Sequence, residues 1–266
     1  MDRAACGREA RRRTTEWRKE RDLNRLNDLK VKIFADGADL DGMLEMAKNP
    51  LIKGFTTNPT LMRKAGVTDY ETFAREVTGH ITDRPVSFEV FADDFPTMEA
   101  QALRIATWGK NVNVKIPVTN TKGESAAPLI KRLAAKGVVL NVTAILTLEQ
   151  VQAVTEALDP AVPAIVSVFA GRIADTGIDP VPHMAQALTI MRSRPRAELL
   201  WASPRELLNI FQADAVGCHI ITVANDVLAK LKLVGKDLAG YSRETVEMFY
   251  RDAVAAGFKI AAAHVA

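Results

Sequence analysis

A short apolar segment of strand character recurs eight times along this chain, and a stretch of helical character follows each one. Strands that alternate with helices predict βαβ units and a parallel sheet. The predicted strands are 31–36, 52–57, 86–91, 112–118, 138–143, 164–169, 197–202 and 217–222. Eight units favour a closed barrel, and no GxGxxG motif follows the first strand to indicate a dinucleotide-binding fold. We therefore expect a single (β/α)8 TIM barrel, a common solution for a chain of 266 residues.

Helical patterns fill the segments between the predicted strands. The clearest are 96–108, 124–136, 148–158, 181–192 and 205–214. A further helix is predicted over 242–258, with Ser242 as its N-cap and Gly257 as its stop signal. These patterns place the barrel domain at 23–266, with an extra C-terminal helix that closes the barrel or covers a neighbouring subunit.

Composition excludes several classes of protein. Hydrophobic residues make up 48% of the chain, which is enough for one sizeable core. No apolar run reaches about 18 residues, and the first residues lack the apolar core of a secretory signal, so we expect no membrane span and no export. The two cysteines, Cys6 and Cys218, lie in a polar arm and an apolar segment, which predicts a reducing cytoplasm and no disulfide framework.

Residues 1–22 form a basic arm, with eight Lys/Arg against five Asp/Glu in a chain whose net charge is only +3. Such an arm can bind nucleic acid or an acidic membrane surface. It contains one aromatic residue, Trp17, and no recognisable binding module, so a solvated extension is the favoured interpretation and neither partner is expected. The four histidines stand at no ligand spacing with cysteine or with each other, so no metal site is expected.

Polar side chains occupy one face of several predicted strands, where a barrel core would be apolar. In strand four, Asn113 and Lys115 share the face opposite Val112, Val114 and Ile116. The other polar positions fall late in their strands, and they are Asp36, Ser87, Glu89, Asn141, Thr143 and Ser167, with Phe169 on the face of Ser167. Because the carboxyl ends of barrel strands form active sites, these residues predict one polar pocket.

The residue types in this pocket suggest carbonyl chemistry. Burial disfavours the charged form of a lysine amine, and a neutral amine can attack a ketone to form a Schiff base. Asp36 is the candidate base for the hydroxyl released in a retro-aldol step. Glu89 suits proton transfer to the water that forms and hydrolyses the imine, with Thr143 orienting that water. This chemistry needs no metal ion and no organic cofactor.

Basic residues after the sixth and seventh strands favour a phosphate site. Arg172 follows strand six, and Ser203 and Arg205 follow strand seven at the predicted start of a helix. Arginines, a hydroxyl and backbone amides at a helix N-terminus bind phosphate well, and loops late in a TIM barrel often do so.

Six segments together resemble the transaldolase family. They are FADGAD (34–39), TTNPT (56–60), VKIPVT (114–119), NVTAI (141–145), SVFAGRI (167–173) and WASPRE (201–206), in register from about Leu23 onward. The string TTNP is the most specific of them. Gly37 follows the first-strand aspartate where many relatives have threonine, and the arm before Leu23 has no counterpart in the family.

The resemblance implies a role for each matched residue. Lys115 matches the Schiff-base lysine, Asp36 the acid/base on the substrate hydroxyl, and Glu89 with Thr143 the pair that activates water. Residues implied in substrate binding are Thr56, Asn58, Asn141, Ser167 and Phe169, with Arg172, Ser203 and Arg205 in the phosphate clamp. The implied partners are sugar phosphates, and small relatives form rings, so a homo-oligomer is expected.

Within the family the resemblance favours true transaldolases over fructose-6-phosphate aldolases. The aldolase branch typically has glutamine in place of Glu89, tyrosine in place of Phe169, and no counterpart of Asn141. A transaldolase would pass a dihydroxyacetone unit from sedoheptulose 7-phosphate or fructose 6-phosphate to an aldose phosphate. An aldolase that releases free dihydroxyacetone, a specialised aldolase of a secondary pathway, and a non-catalytic binding barrel are the alternatives.

Overall fold

Eight parallel strands close into a barrel in the computed structural model, which describes residues 26–260. Each strand pairs with the next in the chain, and β8 pairs with β1. The strands are β1 Lys32–Asp36, β2 Ile52–Thr56, β3 Val86–Glu89, β4 Val112–Pro117, β5 Leu140–Ile145, β6 Ala164–Val168, β7 Ala197–Trp201 and β8 Ile220–Ala224. The fold is therefore the (β/α)8 TIM barrel that the eightfold repeat predicts.

Helices follow the strands, in some places more than one after a strand. They are α1 Leu40–Ala47, α2 Pro59–Lys64, α3 Tyr70–His80, α4 Phe95–Ile105, α5 Ala127–Ala135, α6 Leu148–Ala157, α7 Ala170–Asp175, α8 Pro180–Ile190, α9 Leu208–Val216, α10 Asn225–Leu228 and α11 Leu238–Ala255. Short 3-10 helices cover Met191–Ser193 and Ala229–Leu233. None of the helices within residues 26–260 combines the length and apolar character that a membrane span requires.

Polar side chains define where several helices begin. Asp39, Asp69 and Asp94 each accept a hydrogen bond from a backbone N–H in the first turn of α1, α3 and α4. Thr147 begins α6 in a capping box with Gln150. These residues satisfy amide groups that a helix cannot pair internally, so the sequence itself fixes the points at which the chain leaves each loop.

The strands pack on two sides, as the predicted alternation requires. Ile33 and Ala35 of β1 belong to the large apolar layer between strands and helices. Phe34 faces the barrel interior, in a cluster completed by the side chains of Ile165, Leu200, Ala202 and Ile220. Residues of β1 therefore alternate between the barrel interior and the layer beneath the helices.

Three predicted helix starts are wrong. The helix predicted from Glu124 begins at Ala127, and a side-chain hydrogen bond explains each of the other two. The helix predicted from Arg205 begins at Leu208, because Asn209 Oδ1 accepts the backbone N–H groups of Arg205 and Glu206 at 2.7 and 3.1 Å. The last helix begins before Ser242, because Asp237 caps it. Gly257 adopts φ +67 just beyond that helix, as its predicted role as a stop signal requires.

The chain divides into two compact units, of which one is Leu29–Leu231 and contains the barrel. Of the other unit the structure describes residues 26–28 and 232–260, which include α11. No residue of α11 is buried. The basic arm at 1–22 lies outside the described residues, so its predicted role as a solvated extension stays a prediction.

We predict that Gly54→Ala destabilises the barrel. A Cβ at Gly54 would lie 2.6–2.7 Å from three atoms of the Phe34 ring, which is enclosed by the interior cluster. Overpacking of this kind costs about 1–3 kcal/mol of unfolding free energy, measurable by urea denaturation. Gly79→Ala in α3 is the matched control, since nothing lies within 4 Å of its Cβ position. It should stabilise the protein by about 0.5–1 kcal/mol, and an equal effect of both changes would contradict the steric argument.

Candidate active site

A cavity of about 450 Å³ opens at the carboxyl ends of the strands. Eleven of the twelve site residues expected from the sequence line it. They are Asp36, Thr56, Asn58, Glu89, Lys115, Asn141, Thr143, Ser167, Phe169, Arg172 and Ser203. The alternation of side chains along the strands therefore brings together residues that are up to about 170 positions apart in the sequence.

The amine of Lys115 lies buried among polar partners in the lining of this cavity. Its residue is only 7% exposed. The Nζ atom donates a hydrogen bond to the Thr57 carbonyl oxygen at 2.7 Å and lies 3.2 Å from Glu89 Oε2. A lysine this deeply buried must be paired or neutral, and here a carboxylate lies within proton-transfer distance of the amine.

Asp36 stands at the end of β1 as a second carboxyl group of the cavity. Thr56 Oγ1 donates to Asp36 Oδ1 at 2.7 Å. Burial raises the pKa of the Asp36 carboxyl above its usual value; Lys115 and the Thr56 hydrogen bond lower it, and the Glu89 carboxylate raises it. The carboxyl is open to the cavity and enclosed by protein elsewhere, so it holds its proton more firmly than an aspartate in water.

The floor of the cavity is a hydrogen-bonded polar layer. Asn141 is fully buried, donates from Nδ2 to Ser87 Oγ at 3.1 Å and accepts at Oδ1 from Ser167 Oγ at 2.6 Å. Thr143, one inward position further along β5, makes no side-chain hydrogen bond with any residue in the described range. Its hydroxyl is therefore available to a water or a substrate in the cavity.

Strand β5 departs from regular geometry at this point. Ala144 adopts φ 62, a left-handed conformation that is unusual outside glycine, and the register with β6 shifts between Val142 and Ile145. As a result Thr143 and Ala144 both line the cavity, although successive residues of a regular strand face opposite sides. Backbone strain of this kind commonly accompanies a functional site.

The sequence analysis missed two hydroxyl-bearing residues whose hydrogen bonds support the parts of the chain that carry Asp36 and Glu89. Thr222 in β8 lines the cavity, and its Oγ1 hydrogen-bonds Thr56 Oγ1, beside Asp36. Thr222 was placed at the end of a strand predicted over 217–222, whereas β8 is Ile220–Ala224 and Thr222 lies in its middle. An alternation with Ile221 and Val223 would have identified it as an inward residue.

Tyr70 is the second missed residue. It lies on helix α3, outside the barrel, and hydrogen-bonds the backbone of Glu89. Its hydroxyl accepts from the Glu89 backbone N–H at 2.7 Å and donates to the Glu89 carbonyl oxygen at 3.1 Å. The ring packs edge-on against Phe88 and Trp108, and burial raises the pKa of the Tyr70 phenol. Tyr70 thus fixes the strand end that carries the Glu89 carboxylate, and strand alternation gives no signal for such a residue on a helix.

The polar rim on the side of β6 and β7 contains a cation and a strained turn. The Arg172 guanidinium lies over the Phe169 ring, 5.4 Å from its centroid. Ser203 adopts φ 57, and its carbonyl oxygen would lie 1.5 Å from a Cβ at Gly171. Only glycine permits this approach, so Gly171 holds the loops after β6 and β7 together.

Arg205 is the one expected site residue that does not line the cavity. Its Nε donates to Asp175 Oδ1 at 2.9 Å and its Nη2 to Asp175 Oδ2, and both side chains are about half exposed. Its backbone N–H is taken by Asn209, so that amide is not free for an anion. An exposed ion pair of this kind contributes only about 0–1 kcal/mol, so the guanidinium can exchange partners at low cost.

Asn58 combines a structural contact with a position in the cavity. Its Oδ1 accepts the Leu61 backbone N–H at 3.0 Å and so caps α2. Its Nδ2 makes no hydrogen bond with any described residue and can donate to a ligand. Within residues 26–260, no three His, Cys, Asp or Glu side chains lie together in a way that could hold a metal ion.

A buried lysine beside a carboxylate at the carboxyl ends of TIM-barrel strands is an arrangement that carbonyl chemistry can use. Residues 33–263 match the family described as transaldolase/fructose-6-phosphate aldolase. The chain belongs to this family and has an aldolase-type function.

Curated relatives agree with this assignment. A probable transaldolase of Thermoanaerobacter sp. is 33% identical over 231 residues, which cover 86% of this chain and 100% of the relative. A probable transaldolase of Dehalococcoides mccartyi is 33% identical over 202 residues, covering 76% and 90%. Probable transaldolase 2 of Listeria monocytogenes is 30% identical over 218 residues, covering 80% and 95%.

Solved structures share the fold at much lower identity. A mandelate oxidase superposes with a TM-score of 0.52 at 14% identity, over 78% of this chain and 72% of the other. KGPDC from Streptococcus mutans superposes with a TM-score of 0.52 at 10% identity, over 78% and 99%. These likenesses concern the barrel architecture alone.

We predict that Asp36→Asn stabilises the protein increasingly as the pH rises from about 4 towards neutrality. Because the folded state raises the Asp36 pKa above 3.8, it binds this proton more tightly than the unfolded chain, and stability is lost as pH rises through the raised pKa. Asparagine cannot titrate, and its oxygen can still accept from Thr56. Urea unfolding from pH 4 to pH 8 measures the difference, with the exposed Asp252→Asn as control. A gain that is independent of pH would contradict the assignment.

Proposed function

We propose that this protein is a transaldolase that works through a Schiff base on Lys115. It would transfer a dihydroxyacetone unit from a ketose phosphate, sedoheptulose 7-phosphate or fructose 6-phosphate, to an aldose phosphate. The observation that carries the proposal is the contact of Lys115 Nζ with Glu89 Oε2 at 3.2 Å inside a cavity large enough for a sugar phosphate.

Glu89 is suited to the proton transfers of imine formation. It can take the proton that Lys115 must lose before Nζ attacks the substrate ketone. The carbinolamine then loses water, and the same carboxyl group can supply the proton that leaves with its hydroxyl. The free hydroxyl of Thr143 would orient the water that later hydrolyses the imine.

Asp36 is suited to the carbon–carbon bond step. It would take the proton from the substrate hydroxyl as the bond breaks, which releases the first aldose phosphate and leaves an enamine on Lys115. It would return a proton to the new hydroxyl when the enamine attacks the acceptor aldehyde. A carboxyl whose pKa is raised by burial both accepts and returns a proton more readily near neutral pH than an ordinary aspartate.

The phosphate of the substrate would bind at the rim formed by Arg172 and Ser203, where both residues line the cavity. Arg205 would join this clamp by leaving Asp175, an exchange that an exposed ion pair permits. Thr56, Asn58, Asn141, Ser167 and Phe169 would contact the sugar portion.

A donor–acceptor assay tests the proposal. The protein is supplied with fructose 6-phosphate and erythrose 4-phosphate, and sedoheptulose 7-phosphate is measured by mass spectrometry. Formation of this product supports transaldolase. Free dihydroxyacetone in the absence of acceptor supports the aldolase alternative instead, and a folded protein that forms neither product would falsify both.

We predict that borohydride in the presence of fructose 6-phosphate attaches a three-carbon adduct to Lys115. Reduction fixes the enzyme-bound imine, so intact mass increases and peptide mapping locates the change. Lys115→Ala should give no adduct, because alanine has no amine. The exposed Lys131→Ala should label as the unchanged protein does, and labelling that survives Lys115→Ala would place the nucleophile elsewhere.

We predict that Arg172→Ala and Arg205→Ala each raise KM for fructose 6-phosphate by about tenfold or more, with a smaller change in kcat. A hydrogen bond to a charged group contributes about 1.5–3 kcal/mol, which sets this range. Asp175→Asn should leave KM unchanged or lower it, since it frees Arg205 from its ion pair. If Arg205→Ala leaves KM unaltered while Arg172→Ala raises it, Arg205 stays with Asp175 throughout the reaction.

A further inference from the structure

A second cavity of about 220 Å³ lies at the opposite end of the barrel, where the strands begin. Its polar and charged lining comes from β1, β2, β4 and the start of β7, through Lys32, Lys53, Asn113, Arg196 and Glu198. It shares no lining residue with the cavity that contains Lys115. The two cavities are therefore separate sites.

Positive charge exceeds negative charge in this base cavity. Lys32 Nζ donates to both carboxylate oxygens of Glu198, at 2.5 and 2.7 Å, so these two charges offset each other. The Arg196 guanidinium donates from Nη1 to the Ala161 carbonyl oxygen, which carries no charge. Lys53 makes no hydrogen bond or ion pair with any described residue. Two cations without an acidic partner thus face one small space, which favours an anion.

The amide of Asn113 gives an independent indication of a ligand. Asn113 is 8% exposed, lines the base cavity, and makes no side-chain hydrogen bond within residues 26–260. The neighbouring inward layer differs, since Asn141 there bonds both Ser87 and Ser167. The amide opens onto the base cavity without a protein partner, so its partner must be water or a bound group in that cavity.

The shape of the base cavity limits the ligand to a small one. Phe34 and Ile165 form its apolar lining and belong to the interior cluster that fills the middle of the barrel. The cavity has about half the volume of the one at the catalytic end. It can hold an ion of the size of phosphate, with charged donors at its mouth and an amide donor further in.

We propose that the base cavity is a binding site for a small tetrahedral oxyanion of the phosphate class. Lys53 and Arg196 supply the charge, and Asn113 donates its amide N–H groups to the oxyanion. Lys32 holds Glu198 away from the anion. This inference does not depend on the proposed reaction, because no residue of the site takes part in that chemistry.

Calorimetric titration of the full-length protein with inorganic phosphate tests the site. Phosphate can also bind beside Arg172 in the cavity that contains Lys115. The titration is therefore repeated on Arg172→Gln. We expect Arg172→Gln to retain one phosphate site, and Lys53→Gln introduced into it to weaken that site about tenfold. Lys131→Gln, an exposed lysine outside both cavities, is the matched control for loss of one positive charge and should change nothing.

Asn113→Leu in the same background should weaken phosphate binding as well, with an unfolding transition that shows the barrel intact. Crystals grown with selenate should give an anomalous peak between Lys53, Arg196 and Asn113. The proposal is wrong if Arg172→Gln binds no phosphate, if Lys53→Gln and Lys131→Gln weaken it equally, or if selenate is absent from the base cavity. None of these results bears on the donor–acceptor assay.

Discussion

The burial of one amine, that of Lys115, is the constraint on which the arrangement of the catalytic end depends. A charge taken out of water must be met by a counter-charge and by hydrogen bonds, and Glu89 Oε2 and the Thr57 carbonyl oxygen provide them. Glu89 ends β3 and Thr57 follows β2, so the ends of three successive strands must be in register for the amine to be satisfied. The same residues would be required for the proposed reaction, which makes stability and chemistry inseparable at this point.

The supports of this site lie mostly behind the cavity wall. Tyr70 holds the Glu89 backbone through two hydrogen bonds from a helix outside the barrel. Gly171 allows the Ser203 carbonyl to approach within a distance that no Cβ would permit, and Ala144 and Ser203 keep left-handed conformations at two strand ends. Closed packing elsewhere in the barrel is what sustains such local strain, because a loosely held chain would relax it.

Strand periodicity was sufficient to predict the barrel and most of the cavity lining, because alternation is a local property of a sequence. Lys115, Glu89 and Asn141 stand out as polar residues on faces that should be apolar. Tyr70 could not be found in this way, since its importance comes from a contact with a strand end 19 residues away. The predicted start of α9 is wrong because Asn209 Oδ1 accepts hydrogen bonds from two backbone N–H groups before the helix. Composition and periodicity do not reveal such an interaction.

Two carboxyl groups flank the amine, and their different contacts explain why they can serve different steps. Glu89 Oε2 lies 3.2 Å from Lys115 Nζ, within reach of a direct proton transfer to or from the amine. Asp36 instead accepts a hydrogen bond from the neutral Thr56 hydroxyl, and burial outweighs the influence of Lys115 on its pKa. In the proposed reaction, Glu89 would exchange protons with the nitrogen, and Asp36 would exchange a proton with a hydroxyl group of the substrate.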